Sequence, residues 1–290
     1  MNATETVTAA PPLENVCEVP VEDRYYLHRR FDRMGRLVGD QGMGRLFAST
    51  VMVIGLGGVG SWAAESLMRS GVGRLVVVDF DAVCVTNTNR QLQAMRHTVG
   101  KPKAAVLSER LRQINPQAEV IPIEKFYNAD SSDELLDSKP DFVVDAIDNV
   151  TAKCHLLAHA RERGIPIVSS GGASGRMDPT QIRTADLADT SRDPLTASVR
   201  KILRQQYGFP SDGPFDIPAV YSLERPTPPV DLHYDQGKGF RCVCPGGANE
   251  FHSCERRSVI YGTSSFVTGA FGLACASLIV RSLTSWNSQE

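Results

Sequence analysis

Hydrophobic positions along this chain alternate between two rhythms. Short apolar, β-branched runs fall at 51–54, 75–78, 119–123, within 140–149 and at 165–169. Each is long enough for a buried strand and too short for a helix. Between them, 62–70 has the composition of a helix, 103–114 is amphipathic and stopped by Asn115-Pro116, and 151–163 is helical and closed by Gly164. Strands alternating with helices in this way predict an α/β protein with a doubly wound, mainly parallel, Rossmann-like sheet.

The two ends break the rhythm. Residues 1–22 mix Thr, Ala, Pro and Glu without a period and are expected to be a disordered tail, leaving 23–290 as the folded domain. Residues 24–47 look helical and carry Arg29, Arg30, Arg33, Arg36 and Arg45. A solvated helical face is the plain reading; an arginine such as Arg33 reaching a nucleotide phosphate, in its own subunit or a neighbour, is the sharper one. Past Asp178, residues 182–184 suit one more strand and 194–207 a basic helix, while 208–230 is rich in Pro and Gly. The stretch at about 185–258 is therefore expected to be an irregular insertion over the surface. Residues 259–283 carry no charge until Arg281 and are long enough to cross a membrane. Their Gly262, Ser264, Ser265, Thr268, Gly269, Gly272 and Ser277 make a poor lipid-facing surface. A buried helix, suited to a subunit interface, is expected over peripheral membrane association.

Composition narrows the function classes only a little. With 290 residues, 42% hydrophobic and 22% charged, the chain can bury one large core. A net charge of −2 gives no global pull toward nucleic acid, so a tRNA-sized partner needs a local basic patch, and DNA is not expected. Seven cysteines, odd in number and irregularly spaced, argue for reduced thiols in a cytoplasm. No charged n-region with an apolar h-region opens the chain, so a cytoplasmic location is expected.

The chemistry concentrates between 49 and 149. The first strand ends in Gly55-Leu56-Gly57-Gly58-Val59-Gly60-Ser61 and runs into a helix. Glycines let the backbone turn tightly and approach an anion, while helix N–H groups and the dipole face it. The second strand ends in Asp79-Phe80-Asp81, where an acid can accept both ribose hydroxyls. A glycine turn alone serves NAD, FAD and ATP proteins alike. The residues downstream of it discriminate: Asp79, Arg90, Lys103 and Asp148 are all expected at the strand ends or just beyond. Two cations there suit a triphosphate better than a neutral nicotinamide, and Asp148 can hold Mg²⁺, which needs only one or two carboxylates. The set suits attack on an α-phosphate, where charge develops.

These motifs carry a resemblance. Gly55-x-Gly57-Gly58-x-Gly60, Asp79-x-Asp81, Asn89-Arg90-Gln91, Gly100-x-Pro102-Lys103 and Asp145-x-x-Asp148-Asn149 resemble the E1-like activating-enzyme superfamily, which adenylates carboxylates on a sheet of this kind. Within it, Val83 to Gln91 and Gly171 to Thr180 resemble the branch of tRNA threonylcarbamoyladenosine dehydratases, a likeness running from about Arg30 to Leu283. The resemblance implies that the glycines cradle ATP phosphates, Asp79 holds the ribose, Arg90 and Lys103 neutralise phosphate charge, and Asp148 binds Mg²⁺. Asp81, Asn89 and Gln91 join the ATP site, either in contact or by shaping its loop. It also implies a monovalent cation, Na⁺ or K⁺, near Gly171 to Thr180, a homodimer, and a cysteine-desulfurase or sulfur-acceptor partner.

The remaining motifs stay open. Cys242-x-Cys244 with Cys254 and His252 could form a zinc site, although paired C-x-x-C spacing is the usual form. Cys254 is also a candidate catalytic cysteine, slightly upstream of the position some relatives use, which Arg257 occupies here. Arg200, Lys201, Arg204, Lys238, Arg241, Arg256 and Arg257 are candidate RNA contacts, nearly cancelled in number by neighbouring acids. The competing functions are an adenylyltransferase for the C-terminus of a sulfur-carrier or ubiquitin-like protein, a non-catalytic subunit of an activating enzyme, and a dinucleotide oxidoreductase.

Overall fold

The computed structural model describes residues 29–232 and 260–286. Helix α1 (Asp32–Ala48) leads into a first unit of β1 (Thr50–Ile54), α2 (Gly60–Ser70) and β2 (Arg74–Val78). Next come α3 (Lys103–Ile114), β3 (Glu119–Ile123), α4 (Ala129–Leu136), β4 (Phe142–Asp145), α5 (Val150–Glu162) and β5 (Ile167–Ser170). The described chain finishes with β6 (Ile182–Asp186), α6 (Pro194–Gln206), β7 (Pro218–Ser222) and α7 (Ser265–Thr284). The strands form one sheet in the order β3-β2-β1-β4-β5-β7-β6. All neighbours are parallel except β6, which is antiparallel to β7. The expected doubly wound, mainly parallel sheet is thus observed. Its order reverses between β1 and β4, the place where such sheets open a crevice at their carboxyl edge.

The period of two along each strand sorts the core into two layers. Val51, Val53, Leu75, Val77 and Val144 face α1, α2, α3 and α7 through Met43, Leu67, Leu107 and Phe271. Met52, Ile54, Val76, Val78 and Val143 face α4, α5 and α6 through Leu135, Leu156 and Val199. Both faces of the sheet are covered, which is why its strands read as continuous apolar runs.

Three elements differ from expectation. The helix expected across 24–47 is broken at Gly39, whose φ of 69° and ψ of 175° lie outside the helical region. Helix α4 has no counterpart in the sequence pattern; Asn128 starts it, accepting a hydrogen bond from the Ser131 N–H at 2.9 Å. The stretch 208–230, expected to run over the surface, instead sends β7 between β5 and β6 and buries Phe209, Phe215 and Ile217. Its prolines and glycines mark the turns around a short strand, and the Asp186 carboxylate fixes the approach by accepting the N–H groups of Phe215 (2.9 Å) and Ile217 (3.1 Å).

Helix α7 is the one helix among the described residues long and apolar enough to cross a membrane, and half of it is buried inside the protein. It lies across α2. A Cβ on Gly272 would fall 2.3 Å from the Val59 carbonyl oxygen, and one on Gly269 would meet the Trp62 indole at 3.3 Å. Its small residues therefore serve close helix packing, as the expectation of a buried helix required. Its other side leaves Phe266 and Leu273 exposed. The tail at 1–22, and Cys17, Cys242, Cys244, His252 and Cys254, lie outside the described residues.

Candidate nucleotide site

The glycine turn is shaped by contacts as well as by flexibility. Gly55 has a φ of +90°, and a Cβ there would stand 2.7 Å from the Ala146 carbonyl oxygen. A Cβ on Gly60 would stand 1.8 Å from the Gly55 carbonyl oxygen, so α2 can begin this close to β1 only with glycine. A Cβ on Gly58 would stand 3.0 Å from Thr268 of α7 and 3.1 Å from the aliphatic stem of Arg90. Gly57 is different: a Cβ there would meet nothing nearer than the Gln91 Nε2 at 4.0 Å, so its side is open. The α2 N-terminus has no side-chain cap and no acid in its first turn. Its N–H groups and the open side of Gly57 together make a cradle for an anion.

Beside the turn, Asp79 closes the end of β2. Its Oδ2 accepts the Leu56 N–H at 2.7 Å and its Oδ1 the Asp81 N–H at 2.8 Å, so it shapes the turn directly. Lys103, the first residue of α3, donates to Asp81 Oδ2 at 2.8 Å and lies 3.9 Å from Asp79 Oδ1. Burial pushes the Asp79 carboxyl above its ordinary value, against the pull of Lys103 and the backbone donors. For Lys103, burial acts to lower the pKa, but Asp79, Asp81 and more weakly Asp148 override it and hold the ammonium above its ordinary value. Lys103 therefore stays charged, and the exposed Asp148, just after β4, lies within its electrostatic reach.

Arg90 is held on the other flank. Its Nη1 donates to the Thr86 carbonyl at 3.0 Å and to Asn89 Oδ1 at 2.9 Å. Asn89 in turn donates to the Thr263 carbonyl at 2.9 Å, tying the loop to the approach of α7. Gln91 is buried, and its Oε1 lies 3.4 Å from the amide of Gln93. Two residues that sequence reasoning misses complete the support. Trp62 donates its indole N–H to the Arg90 carbonyl at 3.1 Å, and the fully buried Gln93 donates to the Leu56 carbonyl at 2.6 Å. Neither sits in a spacing that distinguishes it from an ordinary core or loop residue.

A further buried pair stands behind the site. Asp145, at the end of β4, is paired with Lys153 of α5, and both are fully buried. Asp145 also accepts from Ser169 Oγ at 2.7 Å and from the Ile147 N–H at 3.2 Å, which anchors the loop that carries Asp148. The crevice thus brings together an anion cradle, two cations and acids of two kinds: buried ones that shape it and an exposed one that faces it.

A model of the ThiF family matches residues 31–290. The chain belongs to the ThiF family. Among ThiF-family relatives, it is 40% identical over 258 residues to the tRNA threonylcarbamoyladenosine dehydratase of Escherichia coli (strain K12), covering 88% of this chain and 93% of that one. The crystal structure of the E. coli tRNA N6-threonylcarbamoyladenosine dehydratase in complex with ATP matches with a TM-score of 0.77 at 36% identity, over 92% of this chain and 98% of that chain. The molybdopterin-synthase adenylyltransferase of E. coli is similar over a shorter span, 36% identical over 130 residues, or 45% of this chain and 51% of its own.

Other expected site residues of this ThiF-family chain fall apart from the cluster. Arg33 is exposed on α1, and among the described residues no hydrogen bond or ion pair joins it to the glycine turn. Cys84, Cys154 and Cys275 are buried thiols; burial pushes Cys154 up to about 11 and Cys275 up to about 12. No group of three or more His, Cys, Asp or Glu suited to a metal occurs among the described residues. The Gly171 to Thr180 loop is tied differently: Arg176 is buried on Asp193 at 3.1 Å, and the Glu224 carboxylate accepts the Met177 and Asp178 N–H groups. The Asp178 carboxylate accepts the Thr180 N–H at 2.8 Å and its hydroxyl at 2.6 Å, which closes the end of the loop.

Proposed function

We propose that this chain is an ATP-dependent tRNA-modifying enzyme that dehydrates N6-threonylcarbamoyladenosine at position 37 of tRNA by adenylating its carboxylate. The observation that carries the reading is the open side of Gly57, on a turn held by Asp79 next to Lys103 and packed against Arg90 at Gly58, in a chain that spans nearly the whole of a dehydratase relative. The adenylyltransferase similarity covers only about half of either chain.

In this reading the glycine turn and α2 N-terminus hold the ATP phosphates, with Arg90 and Lys103 neutralising them. Asp79 and Asp81 receive the ribose; each Asp79 oxygen keeps an acceptor site beyond its backbone donor. Asn89 and Gln91 fix the Arg90 loop. Asp148 would hold Mg²⁺, whose charge helps neutralise the phosphates. The threonine carboxylate attacks the α-phosphorus, forming an acyl-adenylate and releasing pyrophosphate. A heteroatom of the neighbouring carbamoyl group then attacks the activated carbonyl carbon, loses its proton and expels AMP, so that water is removed overall. The second step is intramolecular, and positioning supplies most of its rate.

A second copy of the chain is the partner proposed for the apolar groove of about 280 Å³ between α1, α2 and α7, lined by Met34, Leu37, Leu273, Val280 and Trp286. Arg33 stands on the same helix as Leu37, which supports its reaching a neighbour's phosphates.

The test is mass spectrometry of nucleosides from tRNA carrying threonylcarbamoyladenosine, after incubation with the protein, ATP and Mg²⁺. Loss of one water with AMP formation, absent in Asp148→Ala, is the expected result. An unchanged nucleoside, with ATP–pyrophosphate exchange only when a small carrier protein is added, would favour the adenylyltransferase instead.

A further inference from the structure

Helices α2 and α3 both start at the nucleotide crevice and end at a second cavity. This one has a volume of about 390 Å³ and is lined by Arg30, Phe31, Arg69, Arg110, Gln113 and Ile114. At 1.5 Å per residue, the 11 residues of α2 set the two about 16 Å apart along the helix.

The arginines are held in place. Glu65 is buried and receives both Arg69 (Nε at 2.9 Å, Nη2 at 2.7 Å) and Arg110 (Nε at 2.7 Å, Nη2 at 2.9 Å). Burial acts to raise the Glu65 pKa, yet the two guanidiniums hold it below its ordinary value, so the carboxylate stays charged. Arg30 is tethered by donation from its Nη1 to the Ile114 carbonyl at 3.0 Å. Three guanidiniums against one carboxylate leave two positive charges in excess, in a chain whose net charge is −2. The Nη1 groups of Arg69 and Arg110 have no hydrogen-bond partner among the described residues and remain as donors.

We propose that this cavity docks the phosphodiester backbone of the tRNA substrate, an inference that rests on the tRNA-modifying reading above. A guanidinium fork matches a phosphate in two parallel hydrogen bonds, and an arginine already fixed by a carboxylate loses little freedom in making them. A nucleotide entering the crevice belongs to a polymer whose neighbouring phosphates must cross the protein surface. Contacts at the far ends of α2 and α3 set its register. Guanidiniums spent on backbone phosphates fix register and carry no sequence information, so the cavity positions the RNA, and the crevice selects the nucleoside.

The experiment measures binding of tRNA carrying threonylcarbamoyladenosine to the full chain over a range of KCl concentrations, together with steady-state dehydration. Arg30→Gln and Gln113→Glu leave the Glu65 pairs intact; Arg69→Gln is the more severe third variant. The expected result is a weaker Kd for tRNA, a salt slope lowered by about 1 for each arginine removed, a raised KM for tRNA, and unchanged ATP affinity and kcat. Unchanged Kd and salt slope in Arg30→Gln and Gln113→Glu, with a wild-type chain that dehydrates tRNA, would overturn this site alone. A wild-type chain that neither binds nor dehydrates the tRNA overturns both this site and the reading beneath it.

Discussion

Lys103 Nζ stands 2.8 Å from Asp81 Oδ2 and 3.9 Å from Asp79 Oδ1, so one buried cation is shared by the two acids after β2. The ammonium offsets the repulsion between these neighbours. Lys103→Met removes it and with it a cation beside the phosphates. AMP formation is expected to fall by about 10²–10³-fold, the scale of losing one electrostatic stabiliser. Stability falls by about 3 kcal/mol, because the buried Asp79 loses its cation while Asp81 is partly exposed and can rehydrate. AMP assays and urea titration check the two effects separately; undiminished AMP formation would remove Lys103 from the site.

Gly57 and Gly60 are expected to separate binding from folding. Gly60→Ala places a methyl 1.8 Å from the Gly55 carbonyl oxygen, and backbone cannot yield cheaply there. It destabilises the protein measurably. Gly57→Ala meets nothing nearer than 4.0 Å and adopts no left-handed backbone, so stability stays within about 0.5 kcal/mol. Its methyl nonetheless occupies the cradle, and ATP affinity drops. Calorimetric titration with ATP beside thermal unfolding distinguishes the pair. Equal loss of stability in both would contradict the open cradle.

The parts of this site legible in sequence are those whose chemistry demands a residue type at a fixed offset. The turn from Gly55 to Gly60 comes after an apolar run of the right length, and Lys103 begins a helix of clear period; both stand where expected. Asp79 reads as a ribose acceptor, and its structural work on the Leu56 N–H is invisible in sequence, since a strand-end acid serves either purpose. Lys153 gives no sign at all. Lysines usually lie at the surface, and only the folded sheet brings Asp145 against this one. Strand β7 escapes a sequence reading because Ala219, Val220 and Tyr221, set between Pro218 and Ser222, look like a loop until a neighbouring strand is there to pair.

The Asp145–Lys153 pair makes its own prediction. Lys153 is 1% and Asp145 0% exposed in their side chains, so neither charge can be hydrated if the other is lost. Lys153→Met alone is expected to cost about 3–5 kcal/mol. Lys153→Met with Asp145→Asn costs less than the sum of the single changes, because no uncompensated charge is left behind. Urea denaturation of the four proteins measures the coupling; strict additivity would show that the ion pair contributes nothing.

Glu65 sets a pH limit. Its pKa in the folded protein lies below the ordinary value of 4.5, so its contribution to stability is complete above about 4.5 and is lost as pH falls through the folded value. Glu65→Gln removes this component. The variant is less stable at neutral pH and loses less further stability on acidification below pH 4.5 than the parent does. Thermal unfolding across that range checks the sign, and parallel curves would refute it.

The groove between α1 and α7 and the exposed Arg33 share one further test. Leu37 is 67% and Leu273 47% exposed, an unusual cost for a surface bordering Trp286 unless a second copy covers it. Leu273→Glu introduces a charge into that contact and is expected to shift the protein to monomers in light scattering, with its own fold intact because the residue makes little internal packing. If Arg33 reaches the phosphates of the neighbouring subunit, Arg33→Ala and Lys103→Met are each defective for different sites. Mixing and re-equilibrating the two then produces heterodimers with one intact site, combining Lys103 of the first chain with Arg33 of the second. AMP formation in the mixture rises well above either parent, and adding Leu273→Glu to both chains abolishes the rise. A mixture no more active than its components would confine Arg33 to the surface of its own subunit.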